Sequence, residues 1–459
     1  LTGLEGVVNG TGTLTVTADF NLYRGTINAN LAGAGPVEKF GPGTVTLKGN
    51  NAGLTSTTAA RVDEGMLVLD YTADNNTKLR TATGVDMRGG TLVVNGSTSA
   101  PTTQTVATLT LTQGASKIDV NGGGAQTAVL NMGGITRAAS AGSVRLELPT
   151  GAQTATNGIT TTQALVNGML SAAVTVTDGT AISFATKTGT NITPLAATVK
   201  NNVTTWLPLE NIIDDTTGFT DTLVRGSINS LTFGAAVGAD VNVTSGGVLN
   251  LASGGVLLSN SVTSGTPGIF GGTLATGITE FILTPEGTQT LEVNADIRIN
   301  NAVTKTGNGT LRLSGNNFYT GQTQIQSGVL QVSGGSAIGD NSLVTLAANQ
   351  PSTLQLLSNE TIGRLQGGRR NDNSDYGMVD VGSRTLTINQ SADTTYSGRL
   401  TGSGTIILNT GSVGNLNYAG QTSTGLFTGS VIVNGGLFQI SGRTARLGPA
   451  TTFTINGTG

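Results

Sequence analysis

The sequence contains no cysteine and no histidine. The first absence removes disulfides and thiol chemistry, although a large secreted protein with a continuous core needs no disulfides, so cysteine count alone does not fix the compartment. The second removes the commonest metal ligand and the commonest general base. Charge is scarce as well. Asp, Glu, Lys and Arg make up 11% of the 459 residues, against roughly a quarter in a typical soluble domain. Net charge is −3 and Arg369-Arg370 is the only adjacent basic pair, so the concentrated basic patch that a nucleic-acid partner requires is missing. Aromatics account for 4%, with Trp206 the single tryptophan. No run of about 18 apolar residues occurs, so no segment of this sequence spans a membrane as a helix.

Glycine, threonine, asparagine and serine fill the space these absences leave. There are 69 Gly, and hydrophobic residues still make up 37%; mean hydropathy is +0.07. Disorder pairs low hydrophobicity with high net charge, and neither is present. The composition fits a β-rich fold with many turns and a core of Val, Leu, Ile and Ala.

Short alternating segments recur along the chain. Among them are TVTL at 44–47, TLVV at 91–94, TLEV at 290–293, TLRL at 310–313, VLQV at 329–332, TLTI at 385–388 and TIIL at 405–408. Each sets aliphatic residues two apart, the period of a half-buried strand. Most are bounded by Gly, Asn or Ser, which supply turns. The starts at Thr290, Thr310 and Val329, and again at Thr385 and Thr405, lie roughly 20 residues apart, a spacing that signals stacked architectures. An antiparallel sandwich does not require the same strand phrase at every second or third turn; a parallel β-helix does. Helix signals are poor: Gln163 to Leu170 and Leu354 to Gln366 are studded with Asn, Ser or Gly and read as loops or strands with turns. With strands about 4.8 Å apart and coils of roughly 20–25 residues, the expectation is about 20 coils and a rod about 100 Å long.

The segment VTKTGNGTLRLSGNNFYTGQTQIQSGVLQV at 303–332 closely resembles the passenger-associated repeat of bacterial autotransporters. Lys305, Gly307, Gly309, Thr310, Leu311, Leu313, Gly315, Asn317, Tyr319, Gly321, Thr323, Gly328, Leu330 and Val332 fall on the family pattern, and Ile325 stands where Val is usual. Residues 10–51, ending VEKFGPGTVTLKGNN, resemble the preceding unit and the start of another copy, which departs from the pattern after Asn51. Residues 381–408 resemble the unit before a further copy, and FTGSVIVNGGLFQI at 427–440 closes a looser one. The resemblance implies an all-β, right-handed parallel β-helix (β-solenoid), exported to the outer surface of a bacterium. It implies little about activity, because this scaffold serves adhesins, proteases, toxins and stalks. Family members often carry a C-terminal barrel; the ending TTFTINGTG has no barrel-type strands, and the opening LTGLEGVVNG has neither Met nor an apolar leader. The expected organisation is one continuous solenoid, with a repeat block at 1–149, a divergent segment with projecting loops at 150–226 and a second repeat block at 227–459.

Few residues on this frame could carry chemistry. Asp214-Asp215 is the only Asp doublet, and without His the partner motif of polygalacturonase-like enzymes is impossible, so a solvated turn is the favoured reading. Asp63 and Glu64 precede Gly65 at a turn. Arg145 and Glu147 lie two apart and read as an ion pair on one strand face. Asn371, Asn373 and Asp375 resemble the start of a calcium loop, but Tyr376 displaces the required Gly and no Glu follows, which leaves a polar loop. GPGT, GNGT and GSGT lead into strands, whereas a phosphate loop follows a strand and opens a helix. Lys39 and Lys305 belong to the repeated phrase and are assigned to the coil surface, and no nucleophile is apparent. No catalytic, cofactor or metal residues are assigned. The leading expectation is a non-enzymatic cell-surface structural protein (a stalk, filament or surface-layer fibre) with self-association, head-to-tail or lateral. The NGTG near both termini fits either a repeat that continues past the ends or end-to-end stacking of copies. An adhesin using loops 150–226 and 366–378 against cell-surface or matrix ligands is the alternative, and a carbohydrate-active β-helix enzyme the more remote one.

Overall fold

Where aliphatic and polar residues alternate, every second side chain of a strand points to one side, and a stack of such strands makes one apolar wall. A computed structural model describes residues 2–214, 218–298, 302–371, 374–420, 426–441 and 447–456. Its strands follow the alternating phrases of the sequence: Thr44–Leu47, Thr91–Asn95, Thr290–Val293, Thr310–Leu313, Gly328–Val332, Thr385–Ile388 and Thr405–Leu408 are all strands. The single helical element among the described residues is a short 3-10 turn, Val203–Thr205. The architecture is an all-β parallel solenoid of about 19 turns, divided into two compact units, Leu1–Ala196 and Ala197–Gly459.

In the first unit the parallel pairing is regular. Val45, Leu67, Leu92, Ile118, Leu146 and Val176 lie opposite one another in succession, one per coil. All six are buried, forming one column of the core. A second face stacks Val37–Lys39, Ala60–Val62, Val85–Met87 and Thr102–Leu111 in parallel. The sheet does not end in two loose edges. An antiparallel hairpin, Ser183–Thr188 with Asn191–Pro194, connects the two faces within one sheet of 16 strands.

The second unit repeats the principle with its own core. Leu291, Leu311, Leu330, Leu354, Val379 and Leu400 form a buried aliphatic column. Thr290 lies opposite Thr310 and Thr310 opposite Val329, offsets of 20 and 19 residues; Thr385 lies opposite Thr405. Burying each such leucine contributes about 1.5–3 kcal/mol. Small aliphatics suffice because each coil fills only a thin slice of core.

Residues 150–226 are less of a projecting loop than the composition implies. They hold two ordinary coil strands, Gly158–Thr161 and Val174–Thr177, then the connecting hairpin, then the first strands of the second unit. The irregular element that stands outside the stack lies elsewhere. Arg369–Asn371 and Ser374–Tyr376 pair antiparallel with each other alone.

Corners demand glycine where the next coil passes close by. Gly328 has φ +67, and a Cβ there would sit 2.5 Å from the Gly309 carbonyl oxygen and 2.7 Å from that of Gly307. Gly277 has open space around its Cβ position and no left-handed φ. Gly328→Ala is therefore expected to cost at least about 2 kcal/mol through strain and clash, while Gly277→Ala stays within about 0.5 kcal/mol. Urea unfolding midpoints of the two variants check this.

Candidate functional site

The repeated phrase carries the least expected chemistry. Lys39 and Lys305, assigned above to the coil surface, are both fully buried. The Lys39 Nζ donates to the carbonyls of Phe40 (2.7 Å), Gly41 (2.5 Å) and Glu64 (3.0 Å). The Lys305 Nζ donates to those of Thr306 (2.9 Å), Gly307 (2.6 Å) and Ser327 (2.8 Å). The two sites match atom for atom. Two carbonyls come from the lysine's own corner and the third from the residue before the corner glycine of the next coil, Gly65 or Gly328. The preceding Lys-x-Gly-x-Gly-Thr phrase turns through Gly41 and Gly307, each at φ +72, which brings two successive carbonyls around the ammonium. The lysine ties two coils together. A surface position was the wrong expectation because the side chain has three acceptors inside and needs no water. Burial lowers both amines from the usual lysine range, to about 8 for Lys39 and about 7 for Lys305, with Glu64 and Glu286 respectively opposing the shift.

Twelve residues after each lysine stands a buried asparagine. Asn51 accepts from the Leu31 amide (2.8 Å) and donates to the Lys78 carbonyl (3.0 Å). Asn317 accepts from the Ile297 amide (2.7 Å) and donates to the Ala337 carbonyl (2.6 Å). Each closes main-chain groups of the coil before and the coil after. Glu360 extends the series: its buried carboxyl accepts from the Ile338 amide at 2.9 Å and the Ala337 amide at 3.3 Å. Burial raises this acid to about 7 against the two amide bonds, with Asp340 adding to the rise.

Outward-facing polar residues also stack in register. Glu292, Arg312, Gln331, Gln355 and Asp380 occupy equivalent positions on successive coils. They bond in sequence: Arg312 to Glu292 at 3.3 Å and to Gln331 at 3.1 Å, Gln331 to Gln355 at 2.9 Å, Gln355 to Asp380 at 3.1 Å. In the first unit Glu38, Arg61 and Asp86 form a comparable column. There Asp63 lies 2.6 Å from Arg61 and Asp86 2.6 Å from Arg88.

Asp214 is buried and accepts from the amides of Gly234 (2.5 Å) and Ala235 (3.0 Å) on the next coil; it is a corner fastener, and Asp215 lies outside the described residues. Asp63 and Glu64 do precede a turning glycine, with Gly65 at φ +63. Arg145 and Glu147 pair at 3.2 Å as expected. The register also brings together two carboxylates that spacing did not reveal, because Asp119 lies opposite Glu147 one coil away. Lys117 sits between them, 3.5 Å from Asp119 and 2.6 Å from Glu147. Burial pushes the Asp119 carboxyl up while Lys117 opposes. This is a neutralised cluster of two acids and two bases, unlike the free acid and nucleophile pair that glycoside hydrolysis needs.

Of the calcium-loop residues, Asn373 and the side chains of Asn371 and Asp375 lie outside the described part. Among the described residues no group of three or more His, Cys, Asp and Glu is placed to hold a metal ion. No described helix is long and apolar enough to cross a membrane. A cavity of about 210 Å³ opens in the first unit among Leu111, Ile135, Arg137, Gln163, Leu170, Ser171 and Val174. Its lining carries no carboxylate, and Arg137 is anchored to the carbonyls of Gly142 and Ala141.

The parallel stack and its repeated corners define a class. Residues 303–332 match the passenger-associated-transport-repeat family model, so this segment of the chain is such a repeat, and the chain resembles autotransporter passenger domains. Its similarity to a named relative runs further: it is 27% identical over 397 residues to the Adhesin BmaC autotransporter of Brucella suis biovar 1 (strain 1330), across 83% of this chain. The chain spans only 11% of that relative's length. No solved structure matches it. The repeat and the relative together indicate an exported, cell-surface protein.

Two expectations follow from the corners. Lys305→Met removes the ammonium donor from three buried carbonyls, of which that of Gly307 keeps the Ser327 hydroxyl at 2.8 Å, and is expected to lower stability by about 2–4 kcal/mol, read from urea unfolding. The pH profile has a defined sign. Glu360 holds its proton to about 7 when folded and releases it near 4.5 when unfolded, so its contribution stands below about 4.5 and is lost as pH rises through 7. Lys305 releases its proton near 7 when folded and near 10.5 when unfolded, so stability climbs from about pH 7 towards 10.5. The second unit should pass through a shallow stability minimum near neutrality. Glu360→Gln should flatten the acidic arm and Lys305→Met the alkaline one in unfolding titrations from pH 4 to 10.

Proposed function

We propose that this chain is a segment of an adhesin passenger, in which the stacked coils act as a stiff scaffold and irregular elements make the contacts. The observation that carries this reading is the similarity to an autotransporter adhesin across most of the chain. The antiparallel pair Arg369–Asn371 and Ser374–Tyr376 supports it, because these strands form a sheet of their own and join none of the stacked sheets. A non-enzymatic role is part of this reading, supported by the adhesin relative and by the tie of the in-register acids Asp119 and Glu147 to Lys117. A stalk or fibre role is the second reading, favoured by polar columns whose members bond to one another along the stack.

Beads coated with the chain separate the two. Saturable binding to extracellular-matrix proteins or cultured cells is expected, falling at least about tenfold when Arg369–Tyr376 is replaced by a Gly-Ser link, as for loss of an interface centre, with unfolding unchanged. Binding no higher than on albumin-coated beads, with filaments visible by electron microscopy, contradicts the adhesin reading and favours the fibre.

A further inference from the structure

A parallel stack has a weakness at its last coil. Each face ends in a strand whose outer main-chain groups are a ready template for another strand. In the first unit the last parallel strands are Gly158–Thr161 on one face and Val174–Thr177 on the other. Neither is followed by a further parallel coil. Asn191 lies antiparallel opposite Thr160 on the first. Phe184 and Ser183 lie antiparallel opposite Thr175 and Val176 on the second. The two hairpin strands pair with each other from Ala185–Pro194 to Thr188–Asn191.

We propose that this hairpin is an edge guard that terminates the first solenoid, covering both faces at once and keeping a second copy of this chain from adding there. This inference does not rest on the adhesin reading. Three features carry it. Strand direction reverses at both contacts, so an incoming coil of the same polarity has no parallel template on either face. The hairpin is also packed as part of the core: Phe184, Ala185 and Ile192 are buried, and Ala185 and Ile192 belong to the first unit's apolar cluster. Finally, main-chain bonds fix it from several sides, with Thr161 donating to the Thr190 carbonyl (2.9 Å), Leu170 to that of Ala185 (2.9 Å) and Leu195 to that of Phe184 (2.9 Å). The hairpin's own strands carry Lys187 and Pro194, residue types that discourage further pairing at an edge. The hairpin accounts for the break in the repeat pattern at 183–194: a terminator cannot also be a coil.

The test uses the whole chain. Phe184→Asp with Ile192→Asp places one charge at a buried position on each strand of the hairpin, while a Gly-Ser insertion after Gly189, whose Cβ position faces open space, leaves both positions intact. Hydrogen exchange is followed at 183–194, 158–161 and 174–177, and mass by light scattering at matched concentrations. The double variant is expected to lose protection in the hairpin, to exchange at least about tenfold faster at both coil strands, and to form concentration-dependent dimers or larger species. The insertion variant is expected to match the wild type in mass and in coil-strand exchange. A hairpin that opens while both coil strands stay protected and the mass stays at the wild-type value overturns the proposal. So does a hairpin that keeps its protection despite two buried charges. Protection at 310–313 reports whether the second unit remains folded. Should it be lost too, Ala185→Glu alone is judged by the same criteria.

Discussion

Everything in this protein depends on satisfying the main chain where a coil turns. Along most of a strand, amides and carbonyls meet their neighbours one coil away without help from a side chain; the Leu31 and Ile297 amides, which bond to asparagine side chains, are exceptions. At a corner the chain changes direction, the ladder lapses, and buried carbonyls and amides need other partners. Lys39 and Lys305 supply three donors to such carbonyls, while Asn51 and Asn317 each supply one donor and one acceptor. The spare sequence between them only has to alternate.

The same constraint explains the composition. Identical positions recur every coil, so like stacks on like: leucine on leucine inside, glutamine on glutamine outside. A charge in such a column meets its own kind unless an opposite charge or an amide intervenes, as Arg312 does between Glu292 and Gln331. Few charges can be accommodated on these terms, and several of those present, such as Arg61 with Asp63 and Lys117 with Glu147, occur as compensated groups. Exposed pairs of this kind contribute about 0–1 kcal/mol each, so their value is register more than stability.

Much of this was legible in the sequence. The strand phrases, their offset near 20 residues around Thr290, Thr310 and Val329, and the corner role of Gly307 all follow from periodicity and glycine chemistry. The buried lysines were not legible by residue type, since lysine is ordinarily a surface residue. The available signal was positional: lysine and asparagine twelve residues apart in both copies of a phrase otherwise made of glycine and aliphatics. The pairing of Asp119 with Glu147 was hidden because coil length varies, and a register offset of 28 residues cannot be read from a 20-residue period. The terminating hairpin was hidden for a different reason. It occurs once, and repetition carries no information about an element that breaks it.

The central claim is that the asparagines of the repeated phrase lock consecutive coils through main-chain groups. Hydrogen exchange at the Ile297 and Leu31 amides, each bonded to an asparagine side chain of the next coil, tests it most directly. Protection comparable to the core strand amides of Leu311 and Leu67 is predicted, falling at Ile297 when Asn317 is replaced by alanine. Rapid exchange at both amides in the unaltered chain would contradict the account.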